Sequence, residues 1–169
     1  MHNIENENGT LMGLMQKVND LAQRKEDYLA DTRQVQFTVS DEGNAGIVLE
    51  GNGGVPTKVF EVNDVASGQI ATSAGLDTRT ARRLQNDYPQ EYSQLINKIH
   101  ENEPKKKMFR THNYSSSDLG SHTFGKDGTV RAVVSDKFKT FDNINLLQST
   151  LPQLMESTAG SRSRFHQLW

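Results

Sequence analysis

The sequence predicts an α+β fold, a small antiparallel sheet with helices packed on one side. Two observations carry that expectation. Three stretches repeat apolar residues at helical spacing, near 11–30, 64–101 and 143–156. Between them lie short alternating or β-branched runs bounded by Gly, Asn, Asp and Pro, near 35–39, 46–50, 105–111 and 129–135.

Residues 1–9 are polar and acidic and are expected to form a disordered leader. Thr10 is placed to cap a helix running to about Ala30, with Leu11, Leu14, Met15, Val18, Leu21, Ala22 and Leu29 on one face. Val35-Gln36-Phe37-Thr38-Val39 alternates as a half-buried strand does, and Asp41 to Asn44 is turn chemistry leading into a second strand. The run from Gly51 to Gly54, followed by Pro56, is the best internal boundary of a single domain over 10–156. It reads as a flexible link, because its spacing fits neither a P-loop nor a dinucleotide fingerprint. Asn63 caps a helix to about Ala74, and Gly75 suits the left-handed residue that ends it. Asp77 caps a second helix over 78–87, and Pro89 fits the first turn of a third, with Tyr92, Leu95, Ile96 and Ile99 as its apolar positions. Lys105 to Thr111 is a strand with a basic start, Gly125 to Gly128 a hairpin turn, and Thr129 to Ser135 a Val-rich strand. Asn143 opens the last helix, which Pro152 kinks or divides. Residues 157–169 form a polar, basic tail and a candidate truncation point.

The 169 residues contain no cysteine, which excludes disulfides, thiolate metal sites and cysteine nucleophiles. Mean hydropathy is −0.70, and no apolar run approaches the roughly 20 residues of a membrane span. The host-cell cytoplasm is the expected location. Residues 1–64 hold 5 Lys/Arg against 11 Asp/Glu, a net −6, whereas residues 65–169 hold 14 against 10, a net +4. A polyanion would therefore meet the second part; ordinary surface scatter is the simpler reading.

One stretch carries a resemblance. Met108-Phe109-Arg110-Thr111, then Val130-Arg131-Ala132-Val133-Val134-Ser135-Asp136-Lys137-Phe138 through Asp142-Asn143, followed by a helix with a Leu151-Pro152 step, resembles domain-of-unknown-function family 932 of phages and plasmids. Gln69-Ile70-Ala71, Gly75-Leu76, Arg83-Leu84 and Tyr88-Pro89 resemble its helical lead-in. The similarity spans roughly residues 60–156. Lys137-Phe138 stands where the family has Arg-Tyr, and the chain stops where the family continues. The resemblance implies a phage or mobile-element accessory protein lacking the family's C-terminal half. It implies no mechanism, cofactor or ligand.

Four residue sets are candidates for chemistry. Arg131, Ser135, Asp136 and Asp142 form a polar set at a strand end that an enzyme could use; as structural residues, the Asp side chains would cap turns and Arg131 would pair with a carboxylate. His112, Asp118 and His122 are metal-ligand types, but their spacing matches no metal motif, so no metal is expected. The run from Ile70 to Leu84 resembles the helix-turn-helix of bacterial repressors, with Arg79, Thr80, Arg82 and Arg83 available to duplex DNA; a plain packing unit for helices or for protein partners is the simpler reading. Lys105, Lys106, Lys107 and Arg110 suit single-stranded DNA, or deter edge pairing of their strand.

Overall fold

The computed structural model describes residues 11–51, 53–114, 125–138, 145–153 and 155–156. Apolar alternation decides the sheet. Val35, Phe37 and Val39 of β2 (Val35–Val39) are buried, with Gln36 exposed between them. Their register puts Phe37 beside Ile47 of β3 (Ala45–Leu49), and Ile47 beside Phe60 of β4 (Lys58–Val62). The alternation continues on β5 (Lys106–Asn113) with Phe109 and Thr111, and on β6 (Gly128–Ser135) with Val130 and Val133. A register shift between Arg110 and Thr111 keeps both Val130 and Val133 inward.

The sheet has six strands in the order β1-β5-β6-β4-β3-β2, where β1 is Lys25–Asp31. Strands β1 and β2 lie at opposite edges, yet only the 3-10 turn Thr32–Gln34 joins them. A flat sheet of this size would hold its edges roughly 24 Å apart, at about 4.8 Å per strand. The four steps from Asp31 to Val35 span at most about 15 Å. The sheet must therefore curl, and the Tyr28 and Phe60 rings meet at 5.6 Å although two strands separate them in the order.

Three helices bury their apolar faces in the same core as the inward strand residues: α2 (Asp64–Ser73), α3 (Thr78–Asp87) and α4 (Pro89–Asn102). Asn63 caps α2 by accepting from the Ala66 N–H, and Asp77 caps α3 by accepting from Arg79 and Thr80. Helix α4 also guards the edge of β2. The Asn97 side-chain amide accepts from the Phe37 N–H and donates to the Phe37 carbonyl, both at 2.8 Å, so it occupies the place of a neighbouring strand.

The α+β class holds, and the strands at 35–39, 45–49, 106–113 and 128–135 fall where the sequence places them. Several expectations need correction. The first helix, α1 (Leu11–Gln23), ends before Ala30, and Lys25–Asp31 is a strand paired with Lys106–His112. Its charged residues carry a helical look locally, but Tyr28 and Ala30 pack against the core only through that pairing. Strand β4 stands where the sequence reading placed no element, and its pairing with β6 is parallel, so the sheet is mixed. The Gly-rich break at 51–56 is the connection from β3 to β4, inside one compact unit (Arg24–Phe138). On α4 the buried stripe is Tyr92, Ser93, Ile96 and His100, while Leu95 is exposed.

The second compact unit comprises Met1–Gln23 and Lys139–Trp169. In it, α1 has no buried residue, and residues 145–153 and 155–156 are helical, with Pro152 inside the helix. The leader at 1–9, the tail at 157–169, and the candidates Asp118, His122 and Asp142 lie outside the described residues. No helix among the described residues is long and apolar enough to cross a membrane.

Candidate nucleic-acid interface

The helix pair α2–α3 is held by small residues where the two come close. Ala71 and Ala81 are buried, at 0% and 3% exposure, and Leu76 and Leu84 pack partly buried against the core. Gly68 faces the Thr78 methyl, where an added Cβ would stand 3.4 Å away. Gly75 makes the turn at φ +81, a conformation that costs other residues strain. Gln85 locks the far end, accepting from the Ser67 hydroxyl and donating to the Gly43 carbonyl, both at 2.7 Å.

The opposite side of α3 is bare. Arg79, Thr80, Arg82, Arg83 and Asn86 are all exposed. Arg83 pairs loosely with Asp87 one turn on, at 3.6 Å with both side chains in solvent, an arrangement of small energetic consequence. Thr80 is exposed as expected, and the inward residue of that turn is Ala81.

The three lysines at the start of β5 have different surroundings. The Lys105 ammonium donates to the Ser73 carbonyl at the end of α2, while the Lys105 N–H donates to the Thr32 hydroxyl. Lys106 is exposed, and half-buried Lys107 pairs with Ser135 across the sheet. Lys107 lines a groove of about 960 Å³ together with Thr72, Ser73, Thr78, Arg82 and Ser135.

Arg110 is removed from this surface. Only 7% exposed, its guanidinium lies 3.2 Å from Asp27 on β1 and beneath the Phe138 ring. Arg131 reaches the same carboxylate at 3.9 Å. Two arginines on one aspartate tie β1, β5 and β6 together, and Asp27 escapes sequence reasoning because its segment reads as helix. Ser135 and Asp136 stand exposed in the turn after β6, where Ser135 Oγ donates to Asp136 at 3.3 Å. His112 lies within β5, and no group of three metal-ligating side chains occurs among the described residues.

A second polar cluster also escapes the sequence. Lys58 Nζ donates to the Tyr28 hydroxyl at 2.6 Å and lies 3.6 Å from Glu26. Hydrogen bonds from Tyr28 and Asn113, with the nearby Lys58 charge, hold the Glu26 carboxyl below its usual range; burial raises Tyr28. The cluster borders a small cavity between β1 and the connection from β3 to β4. Its members face one another across the curl and satisfy one another.

Fold and surface together define a curled α+β sheet unit in which α2 and α3 are joined by a glycine turn and α3 carries exposed arginines. Scans against protein-family models, curated proteins and solved structures find no match.

Proposed function

We propose that this chain is a phage or mobile-element accessory protein that contacts DNA, with α3 as the helix that meets the duplex. The observation that carries the reading is the two-sided character of α3. Ala81 and Leu84 turn inward, while Arg79, Arg82 and Arg83 turn outward without a buried ionic partner. A left-handed glycine makes the turn between the two helices, as is common in helix-turn-helix units. The mobile-element context rests on the sequence resemblance over Met108–Thr111 and 130–143. The charge balance after residue 64 supports a polyanionic partner.

The test is a paired substitution, Arg79→Ala with Arg83→Ala. Both side chains are exposed, so stability is expected to stay within about 0.5 kcal/mol of the parent. Affinity for a labelled duplex at low salt is expected to fall about 30-fold or more, taking each lost arginine contact at ~1 kcal/mol or above. Unchanged affinity would mean that these arginines merely solvate a packing helix. Preference for a single strand over the duplex would move the contact surface away from α3.

A further inference from the structure

The groove between α2, α3 and the end of β6 is lined by two kinds of group that the fold does not use, backbone and charge. Strand β6 leaves β4 after Val130, and the Val133 N–H is then taken by the Gln69 side chain of α2 at 2.7 Å. That N–H points away from β5. The Val133 carbonyl therefore does too, and Ser135, two residues on, presents its N–H and carbonyl on the same side. The Ser135 carbonyl accepts from the Phe138 N–H. The Val133 carbonyl, the Ser135 N–H and Gln69 Nε2 have no hydrogen-bond partner among the described residues. The charges are Glu42 and Asp64 at one end of the groove, Lys107 at the other, and Arg82 midway along α3. None of the four forms an ion pair among the described residues. The Asn63 N–H donates to the Val130 carbonyl, which sets Asp64 beside Val130, whereas Lys107 opposes Ser135. Gln85 ties the Glu42 turn to the Asp64 end, through Ser67 and Gly43. The two ends are therefore about 16 Å apart, at ~3.3 Å per residue of β6.

We infer that this groove binds an extended peptide segment at the open edge of β6, with a cationic side chain toward Glu42 and Asp64 and an anionic one toward Lys107. The backbone groups select a peptide. One free carbonyl and two free N–H donors along a strand edge match the alternating donors and acceptors of an extended chain. The charges set its ends. Two carboxylates against two cations leave the lining neutral, so a polyanion gains nothing along the whole groove, whereas a chain with opposite charges at its ends finds a partner for each. No aromatic side chain lines the groove, so a ligand held by ring stacking finds no platform there. The inference is independent of the DNA reading of α3, because Arg79 and Arg83 do not line the groove.

Peptides of about six residues span the groove. The probes have acetylated and amidated ends, valine and threonine in the middle to favour an extended chain, and lysine at one end with aspartate at the other, in both orders. A matched set carries asparagine in place of aspartate. Binding to the full chain is followed by NMR titration and by hydrogen exchange of the Ser135 amide, with melting temperature recorded for each variant. One order of the lysine–aspartate peptide should bind and slow exchange at Ser135. Lys107→Gln should weaken that peptide about fivefold, the scale of a solvent-facing ion pair, and leave the asparagine peptide unaffected. Asp64→Asn should weaken both peptides, since both carry the lysine. Neither side chain has a partner to lose, so both variants should melt as the parent does. If neither order slows exchange at Ser135, the groove takes no peptide and the inference fails. If Lys107→Gln weakens the aspartate and asparagine peptides alike, the charge assignment is wrong. Protection of the same amide by duplex DNA and by neither peptide would give the groove to nucleic acid instead.

Discussion

Single side chains do two kinds of work in this fold, closing open backbone and tolerating burial. Asn97 closes the edge of β2 by pairing with both backbone groups of Phe37. Asn97→Ala leaves both groups without that partner, so a loss of about 1–3 kcal/mol is expected in denaturant unfolding. A loss below about 0.5 kcal/mol would show that water replaces the amide at no cost. His100 tolerates burial by staying neutral. It is 7% exposed, and its Nδ1 finds no partner among the described residues. Burial, then the charge of Lys105, holds its pKa below the ordinary value of 6.5. The unfolded chain therefore binds the proton more readily. The stability tied to neutral His100 is complete above pH 6.5 and is lost as the pH falls through the lower folded value. Unfolding between about pH 7.5 and about pH 5.5 should show this slope, and His100→Gln should flatten it. A slope unchanged in that variant would place the titration elsewhere. Neither role can be read from the sequence, because each depends on a partner from another element.

At the scale of elements, two glycines separate local strain from steric exclusion. Gly75 has φ +81 and open space around a would-be Cβ. Gly75→Ala should therefore cost only the backbone term, about 1 kcal/mol. Gly125 has φ +78, and a Cβ there would stand 2.2 Å from the Glu61 backbone nitrogen. It precedes the parallel joint of β6 with β4, where Asp127 also accepts from the Val59 N–H at 2.7 Å. Gly125→Ala should cost more than about 3 kcal/mol, combining strain with displaced backbone. Thermal unfolding of both variants measures the difference, and equal costs would refute the close approach. Gly75 is legible in the sequence because a helix end requires a left-handed residue locally. The role of Gly125 is not legible, since β4 approaches from 64 residues away in the chain. The same contrast explains the helices. Asn63, Asp77 and Pro89 announce the starts of α2, α3 and α4, whereas nothing near Gln23 announces that the helix stops and a strand begins.

Across the sheet unit as a whole, distant pairing dominates. Thr111 Oγ1 donates to the Glu26 carbonyl across 85 residues of chain, and the Arg110–Asp27 pair spans 83. Closing such loops costs entropy before any contact compensates for it. Refolding of the Arg24–Phe138 unit is therefore expected on the millisecond-to-second scale of non-local sheets. Stopped-flow refolding measures it, and a microsecond phase accounting for the full amplitude would contradict this topology. Substituting Asp27→Asn should weaken the β1 edge, because it leaves Arg110 buried beside a neutral amide.

The sequence by itself determined the α+β class, four of the six strands, the caps of α2 and α3, and the basic outer face of α3. These follow from local periodicity and from backbone rules acting within a few residues. Tertiary structure alone decided that 25–31 is a strand, that β4 lies parallel to β6, and that Arg110 is buried on Asp27 rather than offered to solvent. It also decided that Lys105 reaches Ser73, which joins two basic segments that the sequence holds apart. The physical reason is the same in each case. A charged segment has no preference strong enough to choose its own conformation, so the hydrogen bonds and burial supplied by a distant strand choose it.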